Sequence, residues 1–104
     1  MPQELQDIIN KYGGQMKQTY GVPVEEIQRG IKSGVRKINV DTDCRMAITG
    51  AIRKVLQESP EKFHPRAYLY PARAGKIALC VARITAFGQS GNASKLREAM
   101  SATA

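Results

Sequence analysis

One strand-like segment among helices is the feature that most restricts what this chain can fold into. Residues 35–40, VRKINV, form the one stretch whose pattern favours a strand, and helical spacing of apolar residues fills most of the rest. A lone strand cannot form a sheet, because its edge N–H and C=O groups have no partners. Helices packed around an unpaired strand are not a standard layered domain. The pattern therefore predicts a piece of a larger α/β architecture.

The remaining pattern predicts mostly helix. Helices are expected at residues 4–12, 24–33, 43–57 and 72–87, with a marginal helix in the last residues. The proline-rich segment SPEKFHPRAYLYPA, residues 59–72, predicts an ordered loop. The third helix carries an apolar stripe made of Ile48, Ile52, Val55 and Leu56, and the fourth carries one made of Ile77, Cys80, Val81, Ile84 and Phe87.

Composition narrows the class of protein. The chain has 104 residues, enough for one small domain, which we place at residues 1–104. No apolar run approaches the roughly 20 residues of a membrane span, and no signal-peptide pattern opens the chain, so we expect a cytoplasmic protein with no membrane partner. The net charge of +7 favours anionic partners such as nucleic acids or phosphorylated small molecules. The basic residues are spread along the chain, however, and no run of five or more occurs, so we expect no nucleic-acid partner.

The residues able to bind a metal are few. Cys44 and Cys80 lie far apart without a CxxC partner, which is typical of reduced, buried thiols and not of a zinc knuckle or a disulfide framework. His64 is the only histidine and stands in the proline-rich segment. A structural zinc site needs four ligands, so we expect no metal to be bound by this chain alone.

The end of the predicted strand has two possible interpretations. Lys37 and Asn39 share one strand face, and Asp41 continues it if the chain stays extended. Polar side chains at the carboxyl end of a strand gather ligand groups in α/β barrels, and Thr42 at a helix start can offer its hydroxyl and N–H to a phosphate. Alternatively, one of Asp41, Thr42 and Asp43 caps the following helix. The residue pattern leaves both interpretations open.

Three long stretches carry a resemblance to a known family. They are TYGVPVEEIQRGIKSGVRKINVDTDCRMAITGAIRKVL, FHPRAYLYPA and AFGQSGNASK. Together they resemble the C-terminal part of class II fructose-bisphosphate aldolases, the zinc-dependent (β/α)8 barrels, over about residues 2–97. The resemblance implies an α/β fold, namely a C-terminal fragment of a TIM barrel that is mostly helical with one clear strand at 35–40. It also implies that residues 1–104 are a single partial domain, resembling the last third of the enzyme.

The resemblance implies a set of substrate-binding residues. By position, the family's contacts to dihydroxyacetone phosphate map onto Asn39, Val40, Asp41 and Thr42. A family arginine that reaches a substrate phosphate, in some members from the neighbouring subunit, maps onto Arg66. This chain departs from the family at the preceding His64, where an aspartate is usual.

The resemblance also implies what the chain lacks. The family reaction, reversible cleavage of fructose 1,6-bisphosphate in glycolysis, gluconeogenesis and the Calvin cycle, needs zinc held by three histidines and an aspartate acid/base. With one histidine here, we expect no catalytic residue and no zinc in this chain, although zinc and a homo-oligomer are expected of the intact lyase. Two alternatives remain: a small basic helical module that binds nucleic acid, and an assembly piece that folds with a partner chain. In the isolated chain, the apolar stripes, Lys37 and Asn39 would be exposed.

Overall fold

Helices and their connections make up the computed structural model, which describes residues 2–103. The helices are α1 (Gln3–Lys11), α2 (Val24–Lys32), α3 (Thr42–Glu58), α4 (Pro65–Ala86) and α5 (Ala93–Thr103). The first three lie within a residue or two of the predicted helices, and the marginal last helix is present as α5. Met1 and Ala104, the two ends of the predicted domain, lie outside the described residues.

The predicted strand at residues 35–40 is wrong, and with it the prediction of an α/β barrel fragment with one clear strand. No strand occurs between residues 2 and 103, which form an all-helical structure. A strand exists only when another strand satisfies its backbone groups, and this part of the chain supplies no second strand. The segment instead begins with the Val35 N–H donating to the Gly30 carbonyl at 3.0 Å, which closes the end of α2. It then connects irregularly to α3.

The loop predicted at residues 59–72 is also partly wrong, because α4 starts at Pro65 and continues through Pro71. Pro65 stands in the first turn, where a missing N–H costs nothing. The His64 ring caps the helix by accepting the Arg66 N–H at 3.2 Å. Pro71 removes one helical hydrogen bond. The helix nevertheless continues, and the next residue, Ala72, is buried against the rest of the fold.

A glycine pair ends α1 and turns the chain back. The Tyr12 N–H donates to the Ile8 carbonyl at 3.1 Å, and the Gly14 N–H donates to the Ile9 carbonyl at 2.8 Å. Gly13 has a φ of +92°, in the left-handed region that favours glycine. The helix end is therefore closed by its own backbone.

The core lies where α3 packs against α1 on one side and α4 on the other. Its buried apolar residues are Ile9, Met46, Ala47 and Ala72. Small residues bring the helices close together. A Cβ on Gly50 would lie 3.1 Å from Ile8 Cγ2, and one on Gly75 would lie 3.4 Å from the Ala47 carbonyl oxygen. The helices thus meet through small side chains together with Ile9 and Met46, and the predicted α4 stripe is not a buried face.

Much apolar surface stays in contact with solvent. The accessible surface area is 7889 Å², whereas a compact chain of this mass exposes about 5,800 Å². The radius of gyration is 17.2 Å, against about 13 Å for a compact domain of this length. The α4 stripe contributes to this surface, since Ile77, Val81 and Ile84 are exposed. In residues 2–103, no helix is both long and apolar enough to span a membrane.

Candidate functional site

A cleft of about 960 Å³ lies where the connection after α2 meets the start of α3 and the end of α4. Residues 37–43 form a continuous part of its wall, and the remaining wall comes from α1, the turn before α2, α2 itself and the end of α4. Four of the five predicted substrate-binding residues are in this wall: Asn39, Val40, Asp41 and Thr42. The absence of a strand therefore does not separate these four residues.

Lys37 and Asn39 form a polar pair in the cleft wall. The Lys37 ammonium donates a hydrogen bond to Asn39 Oδ1 at 2.7 Å, and both side chains are exposed. This contact puts the two side chains on the same side of an irregular segment, whereas the predicted shared face belonged to a strand that does not form. The pair places a positive charge beside an amide that can both donate and accept hydrogen bonds.

Asp41 occupies the N-cap position of α3 but does not cap it with its side chain. Its carbonyl accepts the first helical bond, from the Arg45 N–H at 3.0 Å. Its carboxylate instead binds the Arg45 guanidinium, with Oδ1 3.2 Å from Nε and Oδ2 2.8 Å from an Nη nitrogen. The predicted side-chain cap is therefore replaced by an ion pair one turn into the helix. Thr42, at the positive end of the α3 dipole, therefore lines the cleft without a side-chain cap from Asp41.

An ion pair that the sequence did not predict joins α3 to α4 at the cleft. Arg83 Nη2 lies 3.2 Å from Asp43 Oδ2, and the two side chains are only 16% and 22% exposed. Both residues line the cleft. Nothing in the sequence pattern signals this pairing, since the residues are forty positions apart and each resembles an ordinary solvated helix residue.

The Asp43–Arg83 pair is expected to couple the two helices by about 1 kcal/mol, because both charges are largely shielded from solvent. We predict this value for the interaction energy in a double-mutant cycle of Asp43→Ala, Arg83→Ala and the double variant. Urea unfolding followed by circular dichroism measures each free energy. Asp41 and Arg45 provide the matched control cycle, because their side chains are 68% and 75% exposed. Equal coupling in the two cycles would contradict the prediction.

Arg66, the fifth predicted residue, is not brought to this cleft. It is exposed in the first turn of α4, where its guanidinium lies 3.4 Å from His64 Nε2. Arg83, which does line the cleft, is seventeen residues further along the same helix. At the rise of an α-helix, this separates the two positions by about 25 Å.

The described residues do not fit a zinc ion. No group of three or more His, Cys, Asp or Glu side chains in residues 2–103 could hold a metal. His64 serves as the α4 cap. Cys44 and Cys80 are free, half-buried thiols. Burial raises the pKa of Cys44, and the adjacent Cys80 thiol raises it further, both by its charge and by a hydrogen bond.

The charges around the cleft are largely paired. Three of its carboxylates belong to ion pairs: Glu26 with Arg29 at 2.9 Å, Asp41 with Arg45 at 2.8 Å, and Asp43 with Arg83 at 3.2 Å. Lys37, in contrast, bonds to a neutral amide. Among the residues that line the cleft, Lys37 is therefore the cation that can offer its charge to an anionic ligand. Glu4 of α1 and Glu25 of α2 also line the cleft, and their negative charges oppose the binding of an anion.

Comparison with known proteins gives the family. Residues 13–92 match the family described as Fructose-bisphosphate aldolase class-II. Fructose-bisphosphate aldolase 2 of Cereibacter sphaeroides is 60% identical over 97 residues, which cover 93% of this chain and 27% of that protein. Fructose-bisphosphate aldolase 2 of Rhodobacter capsulatus is 57% identical over 93 residues, covering 89% and 82%, respectively. Fructose-bisphosphate aldolase of Rhizobium meliloti is 55% identical over 97 residues, covering 93% and 27%.

The matches differ in how much of each relative they cover. The chain spans about a quarter of the length of the Cereibacter and Rhizobium relatives and most of the Rhodobacter one. The family match nevertheless covers well over half of the chain and includes the whole 37–43 wall of the cleft. This chain belongs to the class-II fructose-bisphosphate aldolase family.

Proposed function

We propose that this chain is the part of a fructose-bisphosphate aldolase that binds the dihydroxyacetone phosphate end of the substrate. The proposed activity of the complete enzyme is reversible cleavage of fructose 1,6-bisphosphate into dihydroxyacetone phosphate and glyceraldehyde 3-phosphate, a lyase reaction of glycolysis. The family match supports the substrate class. The main observation that supports this proposal is that residues 37–43 form one continuous wall, in which Asn39, Asp41 and Thr42 line the same cleft.

The substrate phosphate is assigned to the start of α3. Thr42 offers a hydroxyl and an N–H at the positive end of the helix dipole, which is a favourable place for a phosphate. Lys37 lies in the same wall and adds a point charge. Thr42 and Lys37 would therefore supply the direct contacts to the phosphate.

The substrate hydroxyls are assigned to the remaining polar residues of the wall. Asn39 can donate to and accept from a hydroxyl, and the Asp41 carboxylate can accept from one. Val40, between them, would contact the carbon chain. Such contacts hold the substrate in a reactive orientation without moving protons themselves. We therefore assign no catalytic acid or base to this chain.

Zinc is assigned to the remainder of the enzyme. The class II family is generally zinc-dependent, but the described residues of this chain do not fit the ion. The exposed apolar faces, including Ile77, Val81 and Ile84, support packing against further protein. On this proposal, residues 1–104 are one partial domain of a cytoplasmic enzyme.

Arg66 is assigned to a neighbouring subunit's substrate. About 25 Å of helix separates it from the cleft end of α4, so it cannot reach a phosphate bound beside Thr42 of its own chain. Its exposure at the start of α4 leaves its guanidinium accessible to another protomer. This assignment requires a homo-oligomer of the complete enzyme.

Phosphate binding is tested with dihydroxyacetone phosphate and two lysine variants. We expect the ligand to raise the thermal unfolding midpoint of the chain, because it binds the native state only. Lys37→Ala should weaken binding about tenfold, the value of one hydrogen bond to a charged group. Lys54→Ala is the matched control, since Lys54 is exposed on α3 and lies outside the cleft. Isothermal titration calorimetry gives the affinities, and equal losses in both variants would contradict the proposed site.

No observation favours the alternative of a nucleic-acid-binding module. The family match accounts for residues 13–92 without it. The positive charge is distributed over several helices, and three arginines are engaged with carboxylates. A DNA affinity that falls steeply with salt concentration would be the result in favour of that alternative.

A further inference from the structure

We propose that Cys44 and Cys80 are a dithiol site that forms a reversible disulfide between α3 and α4. The two residues are thirty-six positions apart, and the cysteine spacing predicted two unrelated thiols. Both are instead half-buried in the packed α3–α4 pair. This inference goes beyond the proposed function and does not depend on a bound sugar phosphate.

Two contacts fix the position of the helices on either side of the cysteines. At the cleft end, Asp43 of α3 lies 3.2 Å from Arg83 of α4. Further along, a Cβ on Gly75 would lie 3.4 Å from the Ala47 carbonyl oxygen and 3.7 Å from Ala51 Cβ. Cys44 and Cys80 each lie between these contacts along their own helix. The helix register therefore places them at the same level of the α3–α4 pair.

The two thiols also influence one another, since the neighbouring Cys80 thiol raises the pKa of Cys44. A disulfide needs Cα atoms about 4.4–6.8 Å apart, closer than most facing helix residues approach. Small residues at this contact, Gly75 of α4 against Ala47 and Ala51 of α3, allow the two helix backbones to come close. The packing of α3 against α4 therefore places the two thiols near one another.

A small-molecule disulfide such as glutathione disulfide is the oxidant. One cysteine thiolate attacks it, forming a mixed disulfide and releasing one glutathione thiolate. The thiolate of the second cysteine then attacks the cysteine sulfur of the mixed disulfide and displaces the second glutathione as a thiolate. Two protein thiols are oxidised, one glutathione disulfide is reduced to two thiols, and the two protons go to those thiols and solvent. Because burial and the adjacent Cys80 thiol raise the pKa of Cys44, the reaction should accelerate as the pH rises above neutrality.

The bond would act on the cleft wall. Cys44 follows Asp43 directly and stands in the first turn of α3, and Cys80 lies one turn before Arg83. A covalent link at this position would hold the first turn of α3 against the end of α4. It would also close a long loop of chain, which restricts the unfolded state and raises the unfolding midpoint. We expect an increase of at least about 5 °C on oxidation.

The test is oxidation of the full chain at low protein concentration in glutathione redox buffers, followed by acid quenching and alkylation. The expected product is monomeric, has lost two hydrogens in intact mass, takes up no alkylating agent, and yields one peptide pair joining Cys44 to Cys80 after non-reducing digestion. Cys44→Ser and Cys80→Ser are the matched controls. Each should form only glutathione adducts or dimers and should show no increase in unfolding midpoint.

A second measurement separates folded geometry from simple chain proximity. The same redox titration in concentrated urea should give an equilibrium constant for the disulfide at least about tenfold lower than in the native chain, because the helices no longer hold the thiols together. Equal constants in both conditions would overturn the proposal. So would a native product consisting of glutathione adducts on one or both cysteines without the internal bond. Loss of sugar-phosphate binding alone leaves this proposal standing, since none of these readouts uses that ligand.

Discussion

Replacing Gln6 with alanine is expected to lower the free energy of unfolding by about 3 kcal/mol. The Gln6 side chain is only 1% exposed. Its Oε1 accepts the Thr19 N–H at 2.9 Å, and its Nε2 donates to the Thr19 carbonyl at 3.1 Å. The substitution removes both hydrogen bonds and also leaves a void in the core beside α1. Two lost bonds at part-buried backbone groups and the lost packing together give the expected magnitude.

The measurement is urea unfolding followed by circular dichroism at 222 nm, where α-helices have a strong negative ellipticity. Gln3→Ala is the matched control, because Gln3 is on the same helix and is exposed. Its hydrogen bonds to Asp7 and Gln18 are also exposed, so its loss should cost less than about 0.5 kcal/mol. If both variants lost the same stability, the buried amide would not be what holds the 13–23 segment.

The loss of the Gln6 side chain should also affect the cleft. Thr19 is two residues before Gly21, and residues 21–23 line the cleft together with the start of α1. Releasing Thr19 would therefore loosen one wall. We expect Gln6→Ala to weaken dihydroxyacetone phosphate binding even at temperatures where the chain remains folded.

Gly14→Ala is expected to destabilise the chain by a similar amount, about 3 kcal/mol. A Cβ at this position would lie 2.5 Å from Ile9 Cγ2 and 2.6 Å from the Ile9 carbonyl oxygen. The carbonyl cannot move away, because it accepts the Gly14 N–H at 2.8 Å and closes α1. The added methyl group must therefore break the helix end or displace Ile9 from the core.

Gly75→Ala is the matched control for Gly14→Ala. Its Cβ would make ordinary contacts at 3.4 Å and 3.7 Å with Ala47 and Ala51. In the interior of α4 an alanine also gains helix propensity, so we expect a change between zero and about 1 kcal/mol of stabilisation. Thermal and urea unfolding of both variants check the pair. A destabilisation of the Gly75 variant equal to that of the Gly14 variant would contradict the close contact at Ile9.

Local pattern was sufficient to predict most of the helices. Pro23 before α2 and the glycines after α1 and α2 are short-range signals, because capping and helix termination depend on neighbouring residues. The proline-rich segment misled the same reasoning. Pro65 begins a helix instead of preventing one, and the helix passes through Pro71, because a single lost hydrogen bond is offset by twenty-two residues of continuous α4.

The candidate site was predictable in part. Asn39, Val40, Asp41 and Thr42 are consecutive, so any compact arrangement places them in one wall. Arg83 was not predictable, since its role depends on the antiparallel packing of α4 against α3. Arg66 was singled out by resemblance, and the structure places it at the far end of the same helix.

The sequence by itself determined the family, the positions of α1, α2 and α3, and the order of the polar residues from Lys37 to Asp43. These are properties of local spacing and of residue identity, which survive without knowledge of the partners. The tertiary structure alone decided that residues 35–40 are not a strand, because pairing requires a neighbour that this part of the chain does not supply. It also decided which helix faces are buried and that Cys44 and Cys80 lie in one packed pair of helices. Such pairings follow from how closely helices can approach, and a glycine or alanine on a facing helix sets that distance.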